Sequence, residues 1–255
     1  MEQWGLMKSD AFVLIVGAVF QEIEPMIKQV NAARKISVGK RQAFCGKLYD
    51  QSVIILQSGV GMLNAVQAVT AVIEKMPVHL IINTGCAGTF PDAGIAMGDI
   101  GIATQEIDIH SGIEGRSPED PVDQLPIPLI QTEREQYYGT YPVSAHYCKV
   151  AYDILLNALT PKNILVKQVP FITVSTITAS LKRANHLFAA YQAGMENMEG
   201  AGIAHVALHY HKSFLEIRSA SNFVGERNKD KWQLKKAFER STRAVLIFLE
   251  NYHLQ

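Results

Sequence analysis

Along the chain, unbroken apolar runs alternate with stretches whose apolar positions recur every three or four residues, and this alternation predicts strands interleaved with helices. Ala11 to Ala18 is a continuous run of apolar and small residues, as expected of a strand covered on both faces. Gln21 to Arg34 carries Ile23, Met26, Ile27 and Val30 at helical spacing and predicts a helix. Phe44 to Tyr49 and Ser52 to Gln57 read as a hairpin pair. After Ser58-Gly59-Val60-Gly61, the positions Met62, Val66, Val69, Ile73 and Met76 step by four, three, four and three, an amphipathic helix. Leu80 to Thr84 predicts a buried strand ending in a glycine-rich turn, and Asp99 to Thr104 a short further strand. Residues 108–142 are polar and rich in Pro and Gly; a loop this long in a compact domain usually carries function, so a substrate-side or subunit-interface segment is expected there. Beyond it lie a helix around 145–159, a strand around 165–176, a helix around 180–191, a helix opening at Glu199, a strand over 213–219 and a C-terminal helix carrying Trp232, Phe238, Val245, Phe248 and Tyr252.

Strand and helix alternate without a visible repeat, which predicts an α/β protein: a three-layer α/β/α sandwich around a mixed, largely parallel sheet. With 255 residues, 48% of them hydrophobic, the chain suits one large core. A single domain over 1–255 is expected, with 1–10 as an N-terminal extension. Lys plus Arg equals Asp plus Glu at 24 each, so there is no basic field to hold a polynucleotide or an acidic membrane surface. No stretch approaches the roughly 20 apolar residues that span a bilayer, and the run from Phe12 to Val16 is too short for a secretion signal. Cys45, Cys86 and Cys148 lie far apart in no metal-ligand spacing, and the eight histidines show none either. Neither metal nor cofactor is expected, and the cytoplasm is the expected compartment.

Ligands of open α/β sheets bind beyond the carboxyl ends of the strands, and the polar candidates fall at such ends. Glu22 follows the first strand, Cys86 and Gly88 follow the Leu80 strand, and Asn222 follows the Ser213 strand. Each has an ordinary explanation: Glu22 and Glu199 sit at helix N-termini, where the dipole favours a carboxylate, Asn222 suits a turn, and Arg218 suits a strand-end charge. Cys86 would need a nearby cation or histidine to become a nucleophile, and no Cys/His pairing is visible. It reads as a small wall residue.

Four segments together argue otherwise: Gly17-Ala18-Val19-Phe20-Gln21-Glu22, Ile82-Asn83-Thr84-Gly85-Cys86-Ala87-Gly88, Asn197-Met198-Glu199-Gly200-Ala201-Gly202, and Arg218-Ser219-Ala220-Ser221-Asn222. They resemble the purine nucleosidase and phosphorylase superfamily over nearly the whole chain. Within it, Ser221 to Arg227 followed by Trp232 is similar to the futalosine hydrolase branch. The resemblance implies a nucleoside phosphorylase-like fold, no cofactor, a small-molecule purine nucleoside substrate, hydrolysis of an N-ribosidic bond, and a homo-oligomer in which a neighbour's loop, here residues 108–142, closes the site. It assigns catalysis to Glu22, which would take a proton from the attacking water, to Asn222 and to a supporting Arg218. Substrate contacts would come from Met198, Glu199, Cys86, Gly88, Asn197 and Thr178, with Glu199 bridging the ribose hydroxyls and Met198 packing on the sugar. An amide at Asn222, where adenine-specific relatives carry Asp, can donate to O6 and accept from a protonated N7, which implies a 6-oxopurine.

Several points stay open on these residues. Phosphorylases of the superfamily carry a basic phosphate site in the turn that here reads Val19-Phe20-Gln21-Glu22, which favours water as nucleophile. A methylthioadenosine/S-adenosylhomocysteine nucleosidase, a purine nucleoside phosphorylase and a non-catalytic nucleoside-binding protein remain alternatives. Asn197 stands where adenine-specific relatives have a second Glu, and Gly202 replaces a more usual Ala. Lys182 or Arg183 could supply a cation for a 5′ carboxylate. Arg227, Asp230 and Trp232 fit either a surface ion pair and a core Trp or a loop held closed over the base.

Overall fold

The computed structural model describes residues 11–115, 120–133 and 135–252. Residues 1–10, read above as an extension, lie outside them. The apolar runs become the centre of one mixed sheet. Strand β1 (Phe12–Gly17) is buried at every position and pairs in parallel with β4 (Gln51–Gln57) and β5 (Val78–Thr89). Beyond β4 lie β3 (Arg41–Leu48) and the edge strand β2 (Asn31–Val38), both antiparallel. On the other side of β5 come β12 (Ser213–Phe223), β6 (Ile100–Asp108), β10 (Val166–Thr173) and β11 (Met195–Asn197). Strand β11 also pairs antiparallel with β5, so β5, β12, β6, β10 and β11 close on themselves as a small barrel. The candidate site lies where β1, β5, β11 and β12 end, at the carboxyl ends that open α/β sheets favour.

Helices cover both faces. α2 (Met62–Ile73) and α5 (Gly200–His209) pack together on one face; α1 (Phe20–Ile27) and α3 (Ala145–Leu159) pack on α6 (Leu234–Asn251) on the other. α4 (Leu181–Tyr191) follows β10. A Cβ on Gly202 would come within 2.4 Å of Met62 Cγ, so the glycine that weakens helix propensity is what lets α5 lie against α2. Among the described residues no helix is long and apolar enough to cross a membrane.

Four expectations need correction. The helix predicted over Gln21–Arg34 ends at Ile27, and Asn31–Val38 is a strand. That edge strand is exposed at most positions, so it lacks the alternation that betrays a half-buried strand. The segment Gly85-Cys86-Ala87-Gly88 is no turn but the continuation of β5, held extended by β12 and β11. Likewise β12 runs past 219 to Phe223, so Asn222 lies in the strand rather than after it, and Trp232 precedes α6 rather than belonging to it. The 108–142 segment is partly built, with β7 (Ile130–Gln131) paired to β8 (Gln136–Tyr137) and β9 (Thr140–Pro142) to β6; positions 116–119 and 134 lie outside the described residues.

Candidate active site

A cavity of about 200 Å³ opens where β1, β5, β11 and β12 end, walled by Glu22, Cys86, Gly88, Met198, Glu199, Arg218 and Asn222. Glu22 is placed by the first turn of α1. Its Oε2 accepts from Ala18 N at 2.8 Å and Val19 N at 3.1 Å, and its Oε1 from Cys86 N at 2.9 Å. It therefore caps its own helix, as its position suggests, while reaching across to β5. Gly85 makes that reach possible: with φ of +144°, a Cβ there would lie 2.2 Å from Glu22 Oε1. Burial pushes the Glu22 carboxyl above the ordinary range, against the Arg218 charge and the backbone donors, while the Glu199 charge adds to the rise. A buried carboxylate with a raised pKa suits a general base at neutral pH.

Glu199 stands at the mouth of α5. Gly61 N donates to its Oε1 at 2.9 Å and Arg218 Nη2 to its Oε2 at 3.2 Å, leaving one acceptor position on each oxygen for a cis-diol. Arg218 is 2% exposed and is no outward strand-end charge. Besides Glu199 it donates from Nε to Glu216 Oε1 at 2.8 Å and from Nη1 to Cys86 O at 3.1 Å. Burial opposes its charge, but Glu216, Glu199 and Glu22 more than offset this and hold it protonated.

Beneath this layer lies a buried network that the sequence did not reveal. Glu106 and Glu216 are both 0% exposed and converge under Gly200, where a Cβ would meet Glu106 Oε1 at 2.2 Å and Glu216 Oε2 at 2.5 Å. Burial, then the neighbouring Glu216, raise Glu106 well above the carboxylate range, against weaker effects of Thr173 and Arg218. Two carboxyls this close cannot both ionise cheaply, so Glu106 keeps its proton. That proton can satisfy Glu216 Oε2, which finds no other donor among the described residues. Glu106 Oε1 accepts from Asn197 Nδ2 at 2.8 Å and its Oε2 from Thr173 Oγ1 at 2.7 Å. Asn197 lines the cavity, yet its side chain turns inward, and its Oδ1 accepts from Glu199 N and Gly200 N at 2.9 and 2.7 Å. It caps α5 and so sets the position of Glu199.

At the base end, the β12 register against β5 slips between Ala220 and Asn222, with Ser221 as the extra residue. Such a bulge re-aims the side chain that follows, and it brings Asn222 opposite Gly88 on the cavity face. Ser221 Oγ donates to Asn222 Oδ1 at 2.7 Å, and Asn222 Nδ2 donates to Phe223 O at 3.0 Å. One N–H and one lone pair of the amide remain for a base. Trp232 also lines the cavity; its Nε1 donates to Glu226 O at 3.1 Å, and Arg227 lies 5.7 Å over its ring. Loop 224–232 is thus tied to itself beside the base end, with Lys231 paired to Glu226 at 2.5 Å and Asp230 contributing its backbone N–H to Asn228. Glu196, not singled out from the sequence, projects into the cavity. Thr178 does not face the cavity but holds Glu196, with N to Oε1 at 3.1 Å and Oγ1 to Oε2 at 2.5 Å. Burial raises the Glu196 pKa, while Thr178, Arg183 and Arg227 favour its charged form. The Cys86 thiol is pushed up to about 12, by burial first and the Glu22 charge second, so it is a wall atom and not a nucleophile. Neither Lys182, Arg183 nor any described residue of 108–142 lines this cavity, and no described cluster of three His, Cys, Asp or Glu could hold a metal ion.

A mixed sheet with two helix layers and a cavity of carboxylates around one buried arginine defines the class: the chain belongs to the phosphorylase superfamily, whose family model matches residues 12–250. It is 27% identical to the futalosine hydrolase of Thermus thermophilus, over 75% of this chain and 79% of that relative. It is 25% identical to a 5′-methylthioadenosine/S-adenosylhomocysteine nucleosidase of Listeria monocytogenes, over 83% and 86%. In fold it is similar to the Neisseria meningitidis nucleosidase of the latter kind solved with methylthio-immucillin-A, with a TM-score of 0.80, 21% identity, and coverage of 95% of this chain and 100% of that one.

Proposed function

We propose that this chain is a nucleosidase that hydrolyses the N-ribosidic bond of futalosine, an inosine-like nucleoside bearing a 5′-linked carboxyphenyl ketone, and releases hypoxanthine in menaquinone biosynthesis. The observation that carries the hydrolytic part is the convergence of Glu22, Glu199 and Arg218 on one cavity. Glu22 takes a proton from water as the water oxygen bonds to C1′ and the C1′–N9 bond breaks. Positive charge that builds on the ribose meets the Glu199 carboxylate, and Met198 packs on the sugar. The electron pair left on the base spreads to N7 and O6, where the free N–H of Asn222 donates, and solvent returns the proton. Among the described residues Arg218 is the only Lys or Arg on the cavity wall, and it is already paired with Glu199 and Glu216 and donates to Cys86 O. That leaves no free cation for phosphate and supports water as the nucleophile.

The base assignment rests on an amide rather than an acid at position 222. Exposed Val60 on the cavity wall and Leu63 one turn on support a homo-oligomer in which a neighbour covers this rim, with residues 108–142 as the covering segment. The test is to incubate the protein with futalosine and with 5′-methylthioadenosine and follow the free base by chromatography. Preferred release of hypoxanthine supports the reading. Preferred release of adenine assigns the chain to the methylthioadenosine branch, and tight binding without release leaves a non-catalytic binding protein.

A further inference from the structure

Glu196 is 5% exposed, faces the cavity and has no part in the chemistry just described. Its place in the sheet is specific. Strand β11 sets Glu196 opposite Gly88 of β5, and strand β12 sets Asn222 opposite the same Gly88 from the other side. Residues in register on neighbouring strands project to the same face, so the carboxylate and the amide flank a residue with no side chain. A Cβ on Gly88 would lie 3.4 Å from Asn222 Nδ2, which fixes the face on which the amide stands. Two strand spacings separate Glu196 from Asn222, about 9.6 Å between backbones. A flat heterocycle with a hydrogen bond of about 2.8 Å at each end fits such a gap, lying over the Gly88 backbone.

The donor and acceptor pattern is also specific. Both Glu196 oxygens already accept from Thr178; burial raises its pKa, and Thr178, Arg183 and Arg227 act against that rise. Glu196 is thereby presented to the cavity as an acceptor. A 6-oxopurine carries a hydrogen on N1, whereas a 6-aminopurine carries a lone pair there. We propose that Glu196 is a specificity-determining residue, whose carboxylate accepts the N1–H of a 6-oxopurine held between it and Asn222, and which turns away 6-aminopurines because two acceptors would then face each other. This rests on the nucleosidase reading above but concerns a different edge of the base from the one assigned to Asn222.

A substrate-side probe and two variants test it. Wild-type kcat/KM is measured on inosine, on 1-methylinosine, in which a methyl replaces the N1 hydrogen, and on adenosine, then repeated with Glu196→Gln and Glu196→Ala. A site built around a substrate N–H can reject an analogue lacking it by large factors, so the wild type should prefer inosine over both analogues by about 10²-fold or more. In Glu196→Ala the penalty on 1-methylinosine should shrink to within roughly tenfold. In Glu196→Gln the gap to adenosine should close instead, because the amide can donate to a bare N1. Equal turnover of inosine and 1-methylinosine by the wild type overturns the proposal without any variant. So do unchanged preference ratios in a folded variant that still releases base. If none of the three nucleosides is cleaved, base release from futalosine decides the nucleosidase reading separately, and calorimetry with free hypoxanthine and 1-methylhypoxanthine decides the role of Glu196: equal affinity for the two bases overturns it.

Discussion

Replacing Glu106 by Gln removes the shared proton of the buried dyad but keeps its shape. Glu106 is fully buried against Glu216, and its folded-state pKa is raised, by burial first and by Glu216 second. A carboxyl that holds its proton in the folded state and loses it on unfolding contributes stability that is fully present below the unfolded pKa of about 4.3 and drains away as pH rises toward the folded value. The drain from one such group approaches about 1.4 kcal/mol per pH unit between its unfolded and folded pKa. Glu22 and Glu196, also raised, slope the same way, so the difference between Glu106→Gln and wild type isolates the dyad. Urea unfolding at pH 5, 6, 7 and 8 should show Glu106→Gln gaining on wild type steadily as pH rises. Parallel stability curves would refute the reasoning, because they would mean that Glu106 is ionised in the folded protein. Glu216→Gln should behave differently and cost about 3–5 kcal/mol at pH 5, since it strips the buried Arg218 of a carboxylate partner.

Glu22→Gln should fold and bind substrate but lose about 10²-fold or more in kcat, because the amide cannot take the proton of water; near-native turnover would remove Glu22 from the chemistry. For Glu199→Gln, kcat and kcat/KM should fall together, and a change confined to KM would reduce it to a uniform binding contact. Asn222→Asp should lose activity on the 6-oxo nucleoside and gain weak cleavage of the 6-amino analogue, measured as the ratio of kcat/KM values on the two; an unchanged ratio would make Asn222 a framework residue of the bulge.

Much of this was legible in the sequence because the signals were local. The apolar run that becomes β1, the stepped stripe of α2 and the helix mouths at Glu22 and Glu199 each follow from periodicity and terminus chemistry within a few residues. What failed was tertiary. Gly85 to Gly88 has the composition of a turn, yet pairing with β12 and β11 keeps it extended, and one slipped residue at Ser221 decides where Asn222 points. The edge strand β2 is exposed at most of its positions, so little in its spacing separates it from the end of a helix. Glu106, Glu216 and Glu196 look like ordinary surface charges in the sequence, because their burial and their partners come from strands far apart in the chain. The dense carboxylate patch around Arg218 could have been suspected only from Glu216 standing two residues before it, inside an otherwise apolar run.

The central claim is that water, activated by Glu22, cleaves a purine nucleoside in this cavity. The most direct measurement is release of free base from inosine or futalosine in a phosphate-free buffer, repeated with added inorganic phosphate. The account predicts hypoxanthine and a free ribosyl product at the same rate in both, with no ribose 1-phosphate formed. Base release that requires phosphate, or that yields ribose 1-phosphate, would contradict it.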